Sequence, residues 1–333
     1  MMKYFTFLLI VLLIGCQTPN QKEKQADMQM AEKIKSEFLR SWNAYKTYAW
    51  GHDVLLPVSK GYMDWYENSL GISPIDAYST MKVMGLDAEA AEVQQYVTDS
   101  LDFDKDQFVK IFEVNIRVLG GLMAMYEFTS DKKVLAKAED FGKRLLPAYN
   151  TGTGIPAYWV NLRTGESKGD TVNVAEGGSS LIEMGMLSRF TGNPVYYEAA
   201  KKASLAIFNR RSSIGLIGEN INVESGNWID STSHIGCCID SYYEYLYKGW
   251  LLFKDQDLKD AWDHSIVAIQ KYVAEEKDSS LWYAQVNKEN GELINRVVTL
   301  YDAYFPALLA LSGDLENAAR YQDSWNSLWV KSG

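Results

Sequence analysis

From Ala31 onward one period dominates the sequence. Apolar residues recur at the spacing of one helix face over stretch after stretch, with short polar breaks between them; this is the pattern of amphipathic helices that each bury one side. Helices are predicted over 31–49, 74–84, 88–98, 108–128, 132–146, 178–190, 194–210, 241–253, 258–275, 299–311 and 315–329. Some starts carry local signals. Asn193 before Pro194 reads as an N-cap followed by proline in the first turn, and Ser130-Asp131 precedes the helix at Lys132.

Three segments interrupt the period, at 150–175, 212–234 and 281–297. Each contains glycine and alternating residues, as in Gly154-Ile155-Pro156-Ala157-Tyr158-Trp159-Val160-Asn161-Leu162, and reads as a long loop or small β-hairpin. Helices joined alternately by short turns and long loops lay out an all-α fold of the α/α-barrel kind, with inner and outer rings and the long loops gathered at one rim. No repeat of fixed length is visible, which argues against a regular solenoid. Residues 31–333 read as one domain with no internal linker.

The first thirty residues differ. Lys3 opens a short basic region and 5–14 is an apolar run, too short for a spanning helix of about 20 residues but suited to an export signal. It ends in Leu13-Ile14-Gly15-Cys16, which resembles the bacterial lipobox, so 1–15 is expected to be a lipoprotein signal peptide and Cys16 the lipidated residue. Residues 16–30 then read as a flexible tether. The expected location is the bacterial cell envelope, with the membrane reached through the lipid anchor.

Charge excludes one class of partner. With 43 acidic against 33 basic side chains the net charge is -10, so nothing drives broad binding to nucleic acid. Aromatic residues make up 13% of the chain, more than a core needs, and such rings also stack on sugars. Cys237 and Cys238 are adjacent and bridge only through a strained ring; they read as small side chains at a helix start, with a redox or metal pair as the alternative. The three histidines, His52, His234 and His264, have no zinc-binding spacing.

Chemistry is expected at a few carboxylates. In Phe112-Glu113-Val114-Asn115-Ile116-Arg117-Val118-Leu119-Gly120-Gly121-Leu122, Glu113 and Arg117 stand one turn apart on a helix that is otherwise apolar. Glu113 is therefore either neutralised by Arg117 or lines a polar cavity with a raised pKa. Downstream, Ser241-x-x-Glu244 has the form of a capping box and Glu244 with Lys248 that of a helix ion pair, which leaves Asp240 at the helix entrance, where it can face a central cavity. Glu176 and Glu183 bracket the start of another helix and are open to both readings.

Further stretches stand in the same order: Tyr48-Ala49-Trp50-Gly51-His52-Asp53-Val54-Leu55-Leu56-Pro57, Ile75-Asp76-Ala77, Leu145-Leu146-Pro147-Ala148-Tyr149-Asn150-Thr151, Ala175-Glu176-Gly177-Gly178, Thr191-Gly192-Asn193-Pro194 and Phe305-Pro306-Ala307-Leu308. With the Glu113 and Asp240 segments, they resemble glycoside hydrolase family 47. These are the class I α-1,2-mannosidases, including the mannosidase-like proteins of endoplasmic-reticulum degradation. The resemblance implies an (α/α)7 barrel that removes terminal α-1,2-linked mannose from oligosaccharides with inversion. It makes Glu113 the general acid, Arg117 its charge partner, Asp240 the catalytic aspartate, and Glu176 and Glu183 substrate-binding carboxylates.

The same resemblance implies calcium, but the family's Thr-Glu-Ala-His segment that binds the ion and its Arg-Pro-Glu segment with a candidate base are not found. The barrel is therefore expected to be incomplete at its C-terminal side. A monomer with little turnover by itself and no tight calcium site is expected, with Glu183 as the substitute base if turnover occurs. The alternative functions are a catalytically inactive, mannose-binding envelope lipoprotein and a surface lipoprotein with no affinity for sugar.

Overall fold

The computed structural model describes residues 21–332. The signal segment and Cys16 lie outside the described residues. Thirteen α-helices are assigned within them: α1 Gln21–Tyr48, α2 Ile72–Val83, α3 Asp87–Asp99, α4 Ile111–Val114, α5 Gly120–Thr129, α6 Lys132–Leu145, α7 Val174–Gly178, α8 Leu181–Thr191, α9 Val195–Phe208, α10 Asp240–Phe253, α11 Gln256–Tyr272, α12 Phe305–Ser312 and α13 Leu315–Ser332.

Helices pair as antiparallel hairpins, α2 with α3, α5 with α6, α8 with α9, α10 with α11 and α12 with α13. The first members of these pairs touch in series, α2 on α5, α5 on α8, α8 on α10 and α10 on α12, and form the inner layer. Outside them α3 packs on α6, and α9 on α11. This is the expected α/α-barrel layout, with five helical hairpins in series among the described residues. Inner-to-outer connections are tight turns, at 84–86, 130–131, 192–194, 254–255 and 313–314, whereas every outer-to-inner connection carries strands. All long loops therefore gather at the end where the inner helices begin.

The strands do more than form local hairpins, because they stitch neighbouring loops together. Strand 108–110 pairs antiparallel with 159–161, 171–173 with 220–222, and 232–233 with 285–287. Each pairing joins one long connection to the next, so the rim is a belt of short sheets and not a set of free loops. Such ties hold the helix entrances at fixed spacing.

Local chemistry explains several boundaries. The Asp131 carboxylate caps α6 by accepting from the Lys133 N–H at 2.8 Å, as its position before the helix suggested. Asn193 accepts from the Val195 N–H at 3.3 Å, with Pro194 in the cap position and not inside the helix. Asp53, wholly buried, accepts from the N–H groups of Leu70 (2.9 Å) and Ile72 (3.0 Å) and from Ser69 Oγ, which anchors the hairpin 54–63 to the start of α2.

Four expectations are corrected. Helix α1 begins at Gln21, so its first ten residues occupy what was read as tether. The helix expected over 108–128 starts as a strand and contains a π-helical stretch at 115–119 between α4 and α5. No capping box forms at Ser241: α10 starts at Asp240 and its cap position is Ile239, without a side-chain bond. The aromatic surplus is largely core, since Tyr78, Tyr196, Tyr242, Tyr243, Tyr283 and Tyr321 are fully buried.

Candidate active site

The inner helices bring carboxylates to the stitched rim. Glu113 lies in the first turn of α4, Glu176 in that of α7, Asp240 is the first residue of α10, and Asp302 sits in the 3-10 turn 300–304 that leads into α12. Asp302 was not anticipated, although Thr299-x-x-Asp302 is a capping box and was readable as one.

Glu113 and Arg117 form the ion pair that their spacing allowed, Arg117 Nε donating to Glu113 Oε2 at 3.0 Å. Both side chains remain partly open, 22% and 35% exposed, so the pair is reachable from solvent. Arg117 reaches further, to Asp76 Oδ2 on α2 at 3.0 Å, and lies 5.2 Å from the ring centre of Trp65. Burial disfavours its charge, but hydrogen bonds to Glu113 and Asp76 outweigh this and hold its pKa above the ordinary arginine value.

The second cation at Glu113 was missed. Lys110, the cap residue of α4, places Nζ 2.5 Å from Glu176 Oε1 and 3.9 Å from Glu113 Oε1, and 5.0 Å from the ring centre of Tyr158. The sequence signal was a lysine isolated between Val109 and Ile111 directly before the Glu113 motif. Glu113 and Glu176, 63 positions apart in sequence, thus share one ammonium group.

Asp240 stands at the neighbouring entrance. The Ala175 N–H donates to the Cys238 carbonyl at 2.8 Å, and Ser179 Oγ and Ser241 Oγ are 2.8 Å apart, so the starts of α7 and α10 are bonded side by side. Glu176 and Asp240 each lie next to one of these bonds. Burial raises the pKa of Asp240; the Ser241 N–H donates to Oδ1 at 2.8 Å and opposes this, Glu244 and Asp302 reinforce it, and His234 opposes it.

Glu183 lies deeper, 7% exposed, on α8. Tyr245 Oη donates to Oε1 at 2.8 Å and Asn115 Nδ2 to Oε2 at 2.9 Å. No lysine or arginine pairs with it among the described residues, and burial pushes its pKa up to about 7, against those two hydrogen bonds. The π-helical stretch beginning at Asn115 separates the two faces of this segment: Arg117 meets the rim while Asn115 reaches inward to Glu183.

The remaining candidates have other partners. Glu244 pairs with Lys248 as expected. Cys237 and Cys238 are free thiols with Sγ atoms 3.3 Å apart, and Cys238 takes a left-handed backbone (φ 77°) in the turn before Asp240. His234 accepts at Nδ1 from the Gly236 N–H (3.1 Å), which leaves its Nε2–H to face Glu219 at 3.3 Å. Among the described residues no group of three or more His, Cys, Asp or Glu side chains is placed to hold a metal ion. The described residues do not fit a carboxylate-built calcium site.

Paired helices around a rim of carboxylates define an α/α-barrel protein. The chain belongs to glycosyl hydrolase family 47, whose family model matches residues 37–330. It is 32% identical to alpha-mannosidase I MNS5 of Arabidopsis thaliana over 99% of this chain and 62% of that protein. It is 33% identical to the ER degradation-enhancing alpha-mannosidase-like protein 1 of Schizosaccharomyces pombe over 92% of this chain and 42% of that protein. Among solved structures, the alpha-1,2-mannosidase of Trichoderma reesei superposes with a TM-score of 0.79 at 28% identity, covering 88% of this chain and 65% of that one. The chain therefore spans less than two thirds of the length of these curated relatives. A D-mannose isomerase, at 11% identity and a TM-score of 0.55, shares the fold alone.

Proposed function

We propose that this chain carries the acid–base site of a mannosyl-oligosaccharide 1,2-α-mannosidase, hydrolysing terminal α-1,2-linked mannose with inversion. The carrying observation is that segments leading into successive inner helices bring carboxylates to one rim, with Glu113 and Glu176 both near Lys110 and the segment of Glu176 bonded to that of Asp240 through the Ala175 N–H and the Cys238 carbonyl. The family membership and the relatives' names support the substrate class.

An inverting glycosidase needs one carboxylic acid to protonate the departing oxygen and one carboxylate to take a proton from water on the opposite face of the sugar. Glu113 and Asp240 are the pair we assign to these roles, in place of the Glu183 base expected from the sequence, and turnover by this chain is part of the proposal. Burial raises the proton affinity of Asp240, and Glu244 and Asp302 add to this. Glu176 and Arg117 are assigned to the sugar hydroxyls, and Glu183 to the floor of the pocket. Trp65, beside Arg117, offers a ring face to a pyranose.

The lipidated, envelope-anchored state also belongs to this proposal and rests on the segment ending in Cys16. Among the described residues no helix is long and apolar enough to cross a membrane. Proton NMR of an α-1,2-linked mannobiose digest tests the enzymatic reading: β-mannose appearing before mutarotation supports it, and α-mannose appearing first contradicts inversion.

A further inference from the structure

A cavity outside the carboxylate rim has the opposite chemistry. It is an open groove of about 630 Å³ between the last turns of the outer helices α9 and α11 and the start of the connection that follows α9. Arg211, Lys271 and His264 line it together with Ser212 and Ser213, and no aspartate or glutamate does. In a chain of net charge -10 this is a local reversal of sign. Among the described residues Arg211 meets the carbonyl and ring of Phe208, and Lys271 the ring of Tyr272; neither meets a carboxylate. The carboxylates of the facing stretch of α11 are engaged elsewhere, Asp260 by Gln256 at 2.7 Å and Asp263 by Lys259.

The groove is built from fixed parts. The Ser212 N–H donates to the Leu216 carbonyl at 2.8 Å and the Gly215 N–H to the Ser212 carbonyl at 3.0 Å, which closes a turn. Gly215 has φ 91°, and a Cβ there would stand 3.0 Å from Ala268 Cβ, so this turn is seated against α11. The Arg211 guanidinium lies 3.9 Å from the ring centre of Phe208, and the His264 ring packs on the same phenyl group at 6.1 Å. Capping the end of α9 uses only Nη1 of Arg211, 3.0 Å from the Phe208 carbonyl oxygen, and leaves the other N–H groups of the fork without a partner among the described residues. Cations and hydroxyls held in place without a carboxylate suit a phosphate ester, whose oxygens accept several charge-assisted hydrogen bonds. The volume is that of a small-molecule site and not of a lone ion, and Val267, Ala268 and Tyr272 add apolar surface for a sugar ring.

We propose that this groove binds a phosphorylated saccharide, at a site separate from the carboxylate rim, with Arg211 and Lys271 holding the phosphate. The saccharide half rests on the mannoside reading above, and the phosphate half on the groove alone.

Isothermal titration calorimetry of the full chain with mannose 6-phosphate, mannose and inorganic phosphate tests this without turnover. Mannose 6-phosphate should bind saturably, more tightly than inorganic phosphate, and excess mannose should not displace it. Its affinity should fall about tenfold in Arg211→Met and in Lys271→Met. Arg211→Lys should restore only part of the loss, because an ammonium group lacks the planar fork. Arg211 also caps α9, so Lys271→Met, which removes no cap, keeps the test independent of folding. Absence of mannose 6-phosphate binding, or binding unchanged in both methionine variants, overturns the proposal. Equal affinity for inorganic phosphate overturns its saccharide half. Binding of phosphatidylglycerol vesicles through Arg211 and Lys271, with none of mannose 6-phosphate, gives the groove to a membrane surface and overturns the proposal as well. A wild type that binds mannose 6-phosphate in the groove but releases no mannose from mannobiose supports the groove and counts against the hydrolase reading alone.

Discussion

Tyr245 Oη donates a hydrogen bond to Glu183 Oε1 at 2.8 Å, joining inner helices α10 and α8 beneath the rim. The bond costs the carboxylate little freedom but does not replace the water it has lost, and burial dominates: the Glu183 pKa rises to about 7. In the native state Glu183 therefore binds a proton between its unfolded pKa, near 4.5, and about 7, where the unfolded chain does not. Its contribution to stability is full below the lower value and declines as pH rises through this window, by on the order of 2–3 kcal/mol. Chemical denaturation of wild type and Glu183→Gln from pH 4 to 8 checks this. The variant should lose most of the decline, and parallel curves would contradict it.

Close helix packing gives a second expected outcome. A Cβ on Gly121 would stand 2.5 Å from Ile75 Cγ2 and 2.7 Å from the Ile75 carbonyl oxygen, so α5 crosses α2 with backbone nearly against backbone. Gly121→Ala must push the two inner helices apart and should cost about 1–3 kcal/mol, read as a lowered Tm. An unchanged Tm would show that this crossing is looser than described.

The lipid anchor is testable by fractionation. The Lys3 region, the apolar run and Leu13-Ile14-Gly15-Cys16 motivate it. Cys16→Ser should move the protein from the membrane pellet to the soluble fraction of the cells that express it, and an unchanged pellet would count against lipidation.

Helix periodicity carried most of the architecture, because an amphipathic helix needs only its own residues to announce its buried face. The alternation of short and long connections was equally legible, and it located the rim. What periodicity could not show were interactions set by partners distant in sequence. The strands 108–110 and 159–161 are three residues each and exist through each other. The π-helical stretch at 115–119 looks like any apolar helix until its packing is known. Ser241-x-x-Glu244 failed as a capping box because Asp240, in the first turn, already meets the Ser241 N–H, while Glu244 turns to Lys248.

Glu113, Arg117, Glu176, Asp240 and Glu183 were all named from the sequence, but the helix pattern left each open to a structural reading, and it was the resemblance to the family that gave them roles. Lys110 was not, because a single lysine on a strand reads as a solvated side chain until Glu176 is brought to it from another helix. Asn115 was passed over for the same reason: only the fold turns it towards Glu183.

The central claim is that the rim carboxylates perform hydrolysis, and the most direct measurement is mannose release from α-1,2-linked mannobiose by wild type and by Glu113→Gln. Loss of a general acid or base costs on the order of 10²–10⁴ in rate, so the variant should fall by that factor. Wild-type release that Glu113→Gln leaves intact, or binding of the disaccharide with no release by wild type, would contradict the account.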